Sequence, residues 1–326
     1  MTRLTEQQRP VFQDIVAARE RIAGQVRNTD VVENIELNKI LGCDAWFKCE
    51  NLQKTGAFKF RGASNAILRL RENGTDEDVA THSSGNHGAA LATAAQSDGR
   101  NAHVVMPRNS VASKVEAVRR FGGKIVFCEP SQEAREAGLA RLVAEGLIPI
   151  PPYDHRDIIA GQGTAALEFL ESHPHLDILI TPVGGGGLVS GSAIVVRHLR
   201  PAMSVFAAEP FGAADTAASF RQGKRVTSWQ PDTIADGLRA LVGEITFPII
   251  RECVDNVLTV SEGGIVDGMK LVWQYTKMII EPSSATVIAA IREHPELFAG
   301  KRVGLILTGG NIDRDQFPFL HVDRHD

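Results

Sequence analysis

Four short runs of the 326-residue chain carry residue types that could do chemistry. Lys59 stands between Phe58 and Phe60 in the run ENLQKTGAFKFRG. An amine in apolar surroundings gives up its proton more readily and can act as a nucleophile or base. On an amphipathic helix the same residue can instead lay its stem along apolar surface and keep its charge in water. Gly184, Gly185, Gly186 and Gly187 follow the apolar segment DILITPV and precede a helical pattern. Glycines there let backbone N–H groups turn inward at the positive end of a helix, which makes a phosphate cradle. Four in a row are entropically expensive for an idle turn. Ser83-Ser84-Gly85-Asn86-His87-Gly88 supplies hydroxyls, an amide and backbone donors at a helix start. That set suits a carboxylate and equally suits an N-cap, because both draw on the same donors. Thr308-Gly309-Gly310-Asn311 presents one hydroxyl in a tight turn after VGLIL.

These runs need elements to hold them. Apolar segments predict strands over 44–50, 79–81, 101–107, 124–128, 177–183, 205–208, 257–260 and 303–307. Helical spacing predicts helices over 56–71, 159–171, 188–199, 262–277 and 284–293. Alternation of this kind implies an α/β fold whose parallel sheets are covered on both faces. The strands are too many for one short sheet. Two domains are expected, a larger one from 1–77 plus 149–326 and a smaller one, 78–148, inserted into it. Each chemical run falls where a strand ends and a helix begins, the edge at which open α/β sheets bind ligands.

Composition narrows the class. Net charge is −4 (35 basic against 39 acidic residues), and no basic tract calls for a nucleic-acid partner. Cys43, Cys49, Cys128 and Cys253 form no CxxC pair, which fits reduced thiols in a cytoplasm. The N-terminal MTRLTEQQRP lacks a signal-peptide core. The uncharged stretch 178–196 holds a proline and five glycines, so it reads as buried core rather than a membrane span. Neither a strict GxGxxG nor a GxxxxGK[ST] motif occurs, which disfavours nicotinamide and ATP-hydrolysing readings.

Taken together, an amine, a phosphate cradle, a carboxylate cradle and a lone hydroxyl describe a site for an aldehyde-bearing phosphate cofactor. The ordered motifs KTGAFKFRGA, THSSGNHG, IAGQGT, PVGGGG, TIADG, EPSSA and LTGGN cover nearly the whole chain. In that order the chain resembles the fold type II (tryptophan-synthase-β-like) enzymes that use pyridoxal 5′-phosphate (PLP). Within them it is similar to the branch of serine racemases, serine/threonine dehydratases and 3-hydroxyaspartate dehydratases.

The resemblance implies roles for particular residues. Lys59 falls on the Schiff-base lysine and Asn86 on the partner of the ring hydroxyl. Gly184, Gly185, Gly186 and Gly187 fall on the phosphate loop. Thr308 falls on the hydroxyl partner of the pyridine nitrogen, where many relatives have serine. Ser83, Ser84, Asn86 and His87 match the loop that grips the substrate carboxylate. Ser84 also matches the acid/base on the face opposite the lysine in racemases, although dehydratases carry serine there too. Glu209, the carbonyl of Ala213 and Asp215 resemble a site for Mg²⁺, Mn²⁺ or Ca²⁺, and alternatively read as solvated acids after a strand. Arg135 matches an arginine that can face the distal end of the substrate, or else lies on an exposed helix face. His155 and Arg156, in the loop 151–157, are more basic than expected of a threonine dehydratase. The implied activity is α,β-elimination of water from a β-hydroxy-α-amino acid, giving a 2-oxo acid and ammonia. 3-Hydroxyaspartate is favoured over L-serine and L-threonine, since an arginine can grip a second carboxylate. The rival readings are an amino-acid racemase with side elimination and a phosphate-ligand binding protein. A homodimer is expected by resemblance, and a regulatory domain is not expected within the fifteen residues after LTGGN.

Overall fold

Strands that are apolar on both faces pair in parallel once helices cover them, and this chain does so twice. The computed structural model describes residues 9–83, 85–110 and 112–319. Its strands are β1 (Val31–Glu33), β2 (Asp44–Cys49), β3 (Val79–His82), β4 (Ala102–Pro107) and β5 (Lys124–Cys128), followed by β6 (Ile148–Pro149), β7 (Ile178–Pro182), β8 (Ser204–Pro210), β9 (Asn256–Val260) and β10 (Arg302–Leu307). One sheet has the order β1-β2-β10-β7-β8-β9 and the other β5-β4-β3-β6. The eight predicted strand segments all appear, shifted by a residue or two at their ends. The edge strand β1 was not predicted. Only three residues long, it pairs antiparallel with β2, so the larger sheet is parallel except at that edge.

Register decides where the chemistry collects. β10 runs beside β2 from Arg302 opposite Asp44 to Leu307 opposite Cys49, and beside β7 on its other flank. β8 continues the parallel order next to β7. The segments that follow these strands therefore emerge along one edge: Glu50 after β2, the glycine run after β7 and Thr308 after β10. In the smaller sheet, β3 ends at His82 and delivers Ser83 in the same way.

Helices close the layers. The two faces of the larger sheet carry separate apolar cores, one including Phe47, Leu258 and Leu305, the other Phe169, Leu179 and Val205. A third core joins the helix Lys59–Glu72, through Phe60, Ala63 and Ile67, to Ala90, Leu91 and Ala94 of the helix Asn86–Ser97. That contact ties the element bearing Lys59 to the layer built on the smaller sheet. Behind it lies a largely buried ion network. Arg61 binds Glu50 through Nε and Nη2, each at 2.8 Å, and Glu168 through Nη1 and Nη2, each at 2.7 Å. Lys48 adds a 2.9 Å contact to Glu168. The network pins β2, the helix Lys59–Glu72 and the helix Arg156–Ser172 to one another.

Candidate active site

The segment just before Lys59 is stitched to the turn after β10. Phe58 N donates to Thr308 O at 2.9 Å, Gly310 N to Gly56 O at 2.9 Å, and Asn311 Nδ2 to Thr55 O at 2.8 Å. Gly56 is the one residue type that allows this approach. Its φ is +75°, and a Cβ would stand 2.3 Å from Asn311 Oδ1. Lys59 and Thr308, 249 positions apart in the chain, are thereby held in one constellation.

Lys59 keeps part of its surface open, and its Nζ donates to Pro152 O at 2.7 Å, 5.0 Å from the Phe58 ring centre. Burial drives its pKa down to about 8, although the Glu281 carboxylate opposes the shift. Asn86, the first residue of its helix, is gripped from two sides. Its Nδ2 lies 3.0 Å from each carboxylate oxygen of Glu281, and its Oδ1 accepts from Asn311 Nδ2 at 2.9 Å. Glu281 itself is buried, and burial raises its carboxyl to about 7. His87 donates from Nε2 to Ile150 O at 3.0 Å, which leaves a buried Nδ1 with no partner among the described residues. Burial lowers His87 to about 3, so it is neutral. Thr308 is buried, and its hydroxyl lies 2.9 Å from that of Ser284.

The glycine run forms a tight, donor-rich loop. The N–H groups of Gly184, Gly185 and Gly186 find no acceptor among the described residues. A Cβ on Gly185 would stand 2.2 Å from the Tyr153 ring, and one on Gly187 2.4 Å from Gln162 Oε1, which has no partner among the described residues. The loop is buttressed from behind, where Thr246 Oγ1 donates to Gly185 O at 2.8 Å. Asp154 in turn accepts from the N–H groups of Glu244, Ile245 and Thr246 at the start of the helix Thr246–Cys253. Orphan backbone donors beside a helix N-terminus fit a phosphate. With an amine, an amide and a buried hydroxyl nearby, the donor set fits a phosphorylated pyridine aldehyde.

The family described as "Pyridoxal-phosphate dependent enzyme" matches residues 22–309. The chain belongs to that family. Its fold is the fold type II architecture of such enzymes. It is 44% identical over 311 residues to the β-hydroxyaspartate dehydratase of Paracoccus denitrificans, covering 95% of this chain and 99% of that protein. It is 46% identical over 307 residues to the serine racemase of Dictyostelium discoideum, covering 93% and 95%. Among solved structures, maize serine racemase superposes with a TM-score of 0.91 at 42% identity, covering 94% of this chain and 95% of that one.

Other expected site residues lie in different settings. Ser84 lies outside the described residues. Ser83 is half-buried, and its hydroxyl accepts from Gly85 N at 3.4 Å. Arg135, on the helix Gln132–Ala144, has a buried Nε without a partner among the described residues, and its charge helps burial depress His82 at the end of β3. His155 caps the helix Arg156–Ser172 by accepting from Asp157 N at 3.2 Å. Arg156 is paired with Asp14, its Nη2 at 2.9 and 3.0 Å from the two oxygens. Glu209 accepts from Ala217 N at 2.6 Å and Thr216 N at 3.3 Å, while Asp215 accepts from Val242 N at 3.1 Å. Burial, aided by Asp215, pushes Glu209 up to about 8, and burial raises Asp215 to about 6. Among the described residues, no cluster of three or more His, Cys, Asp or Glu side chains could hold a metal.

Sequence reasoning gave no role to Glu281, Ser284, Asn311 or Tyr153. The first two sit in EPSSA and the third in LTGGN, so the motifs were visible while the individual contacts were not.

Proposed function

We propose that this chain is a PLP-dependent ammonia-lyase that removes water from a β-hydroxy-α-amino acid and yields a 2-oxo acid and ammonia. The observation that carries this reading is the half-buried Lys59 amine, depressed to about 8 and grouped with Thr308 and Asn86. Bound PLP supplies an electron-withdrawing ring that stabilises negative charge at the substrate α-carbon. Lys59 is the residue to hold it and then to take the α-proton at Nζ, since an amine poised near neutrality is a competent base. Asn86 would hold the ring oxygen and Thr308 the ring nitrogen, while Gly184, Gly185, Gly186 and Gly187 would donate to the phosphate. Ser83, Ser84, Asn86 and His87 bind the substrate carboxylate. Thr308 brings a neutral hydroxyl and no full negative charge, a setting that favours prompt loss of a β-hydroxyl over long storage of charge.

3-Hydroxyaspartate is the favoured substrate. Support comes from the dehydratase of Paracoccus denitrificans and from Arg135, whose Nε is left for a distal carboxylate. Arg156 is already engaged by Asp14, so it ranks below Arg135. The test is turnover of both enantiomers of 3-hydroxyaspartate, serine and threonine, assayed for 2-oxo acid and ammonia with and without chelator. Arg135→Ala is expected to cut hydroxyaspartate turnover selectively, and Arg156→Ala to do so less. Equal losses across all substrates would sink the assignment. Borohydride reduction of the holoenzyme followed by peptide mapping should place the cofactor on Lys59, and label on another lysine contradicts the reading.

A second reading, racemisation of serine or aspartate, rests on the serine racemase of Dictyostelium discoideum. Chiral analysis of the recovered amino acid separates it from elimination. We also propose a divalent cation (Mg²⁺, Mn²⁺ or Ca²⁺) at Glu209, Ala213 O and Asp215, supported by two buried carboxylates with hard oxygen donors and no cationic partner among the described residues. Ca²⁺ or Mg²⁺ should raise the melting temperature, and Asp215→Ala should abolish that rise. A homodimer follows from the family resemblance and is tested by light scattering. The four free cysteines fit a cytoplasmic setting, and no helix among the described residues is long and apolar enough to cross a membrane.

A further inference from the structure

Ser284 makes three contacts with the turn that follows the last strand, one to the Thr308 hydroxyl and two to the Gly309 backbone. Its side chain is fully buried in the first turn of the helix Pro282–Glu293. Gly309 N donates to Ser284 Oγ at 2.8 Å, Gly309 O lies 2.8 Å from the same atom, and Thr308 Oγ1 lies 2.9 Å from it. A hydroxyl has one proton and two lone pairs. The Gly309 N–H fixes one lone pair, so the single proton of Ser284 must choose between Gly309 O and Thr308 Oγ1.

The two choices present different faces to the site. If Ser284 donates to Gly309 O, the proton between the two hydroxyls has to come from Thr308, which then offers the cleft only lone pairs. If Ser284 donates to Thr308, the Thr308 proton is released toward the cleft. Gly309 O does not need Ser284, because Glu281 N already donates to it at 3.0 Å. Apart from Ser284, Thr308 Oγ1 has no other side-chain partner among the described residues. The second arrangement thus runs Gly309 N–H to Ser284 O–H to Thr308 O–H, every donor pointing the same way, and such chains polarise one another.

We propose that Ser284 is a positioning residue that turns the Thr308 hydroxyl into a hydrogen-bond donor toward the ring nitrogen of the cofactor. This rests on the reading that places PLP with its ring nitrogen at Thr308. An unprotonated pyridine nitrogen is an acceptor, and the relay supplies the matching donor. Ser284 thereby keeps that nitrogen unprotonated without touching it, and the helix Pro282–Glu293 becomes part of the electronic control of the site.

The experiment is ¹⁵N NMR of the holoenzyme reconstituted with ring-¹⁵N PLP, in wild type and in Thr308→Ala, Ser284→Ala and Ser284→Cys. The wild-type signal is expected at a hydrogen-bonded, unprotonated position. Thr308→Ala should move it to that of a pyridine lacking a donor, and Ser284→Ala should move it part of the way. A loaded Ser284→Ala enzyme with the wild-type shift overturns the proposal. Should that variant fail to fold, because Gly309 N–H is left buried and unpaired, Ser284→Cys decides. A thiol is a far weaker donor, so an intermediate shift supports the relay and an unchanged one overturns it. An unmoved signal in Thr308→Ala refutes the cofactor placement itself, and the Ser284 proposal with it.

Discussion

Near the Lys59 amine lies a second titratable group, and the two respond to pH in opposite senses. Burial raises Glu281 from 4.5 to about 7, with the Asp236 charge adding to the rise. Folding therefore tightens its hold on a proton, and the stability it contributes is full below about pH 4.5 and lost as pH climbs through about 7. Lys59 is lowered from 10.5 to about 8, so the unfolded chain holds that proton more tightly. Stability from this group rises as pH goes from about 8 to 10.5. Urea melts of cofactor-free protein should show a decline between about pH 4.5 and 7, and Glu281→Gln should flatten it. A variant whose decline matches wild type would mean that Glu281 titrates normally. Asn86 depends on the same carboxylate, since both Glu281 oxygens face its amide. The pairing joins positions 195 apart, so the motif SSGNHG could announce Asn86 while giving no sign of what holds it.

Among the elements, the helix Lys59–Glu72 carries a buried guanidinium. Arg61 is wholly buried between Glu50 and Glu168. Arg61→Met would leave the buried Glu50 carboxylate without its guanidinium partner, while Glu168 keeps Lys48, and should cost about 3–5 kcal/mol by chemical denaturation. The glycine loop makes a sharper prediction for binding. Gly185→Ala must displace Tyr153, whose ring would lie 2.2 Å from the new methyl carbon. PLP affinity, followed by fluorescence titration, should fall, and adding Tyr153→Ala should recover part of it. A double variant as weak as Gly185→Ala alone would rule out the ring as the obstacle. The strand–glycine–helix order was legible from apolar runs and punctuation, because both are local signals. The edge strand β1 was not, since three residues carry no period, and only pairing with β2 makes them a strand. Arg156 shows a different limit. Its charge suggested a substrate carboxylate, whereas the carboxylate it finds belongs to Asp14, 142 positions earlier.

Across the whole molecule, one ion pair joins the layer built on the smaller sheet to the larger one. Lys114, on the helix Ala112–Arg120, pairs with Asp236 in the short turn Asp236–Leu238 of the other layer. Both side chains are partly exposed, so the pair should add at most about 1 kcal/mol to stability. If the two layers close over bound substrate, a contact between them can help complete the site. Lys114→Ala should raise KM several-fold while leaving the melting temperature nearly unchanged. The charge-swapped pair Lys114→Asp with Asp236→Lys should restore KM, and salt should narrow the difference. An unaltered KM would remove this pair from the closing motion. The alternation of strands foretold two sheets, but not this contact, whose partners are 122 positions apart.

The smaller sheet is entered through β3 and left through β6, and these strands are neighbours, with Val79 opposite Ile148 and Ala80 opposite Pro149. The polypeptide thus crosses out and back at one seam. A cassette spanning 79–148 could be exchanged between relatives by rejoining two adjacent ends, leaving Lys59, the glycine loop and Thr308 in the recipient. Such chimaeras would move Ser83, Asn86, His87 and Arg135 together and leave Lys59, the glycine loop and Thr308 in place, so a substrate preference that travels with the cassette would assign it to the first set.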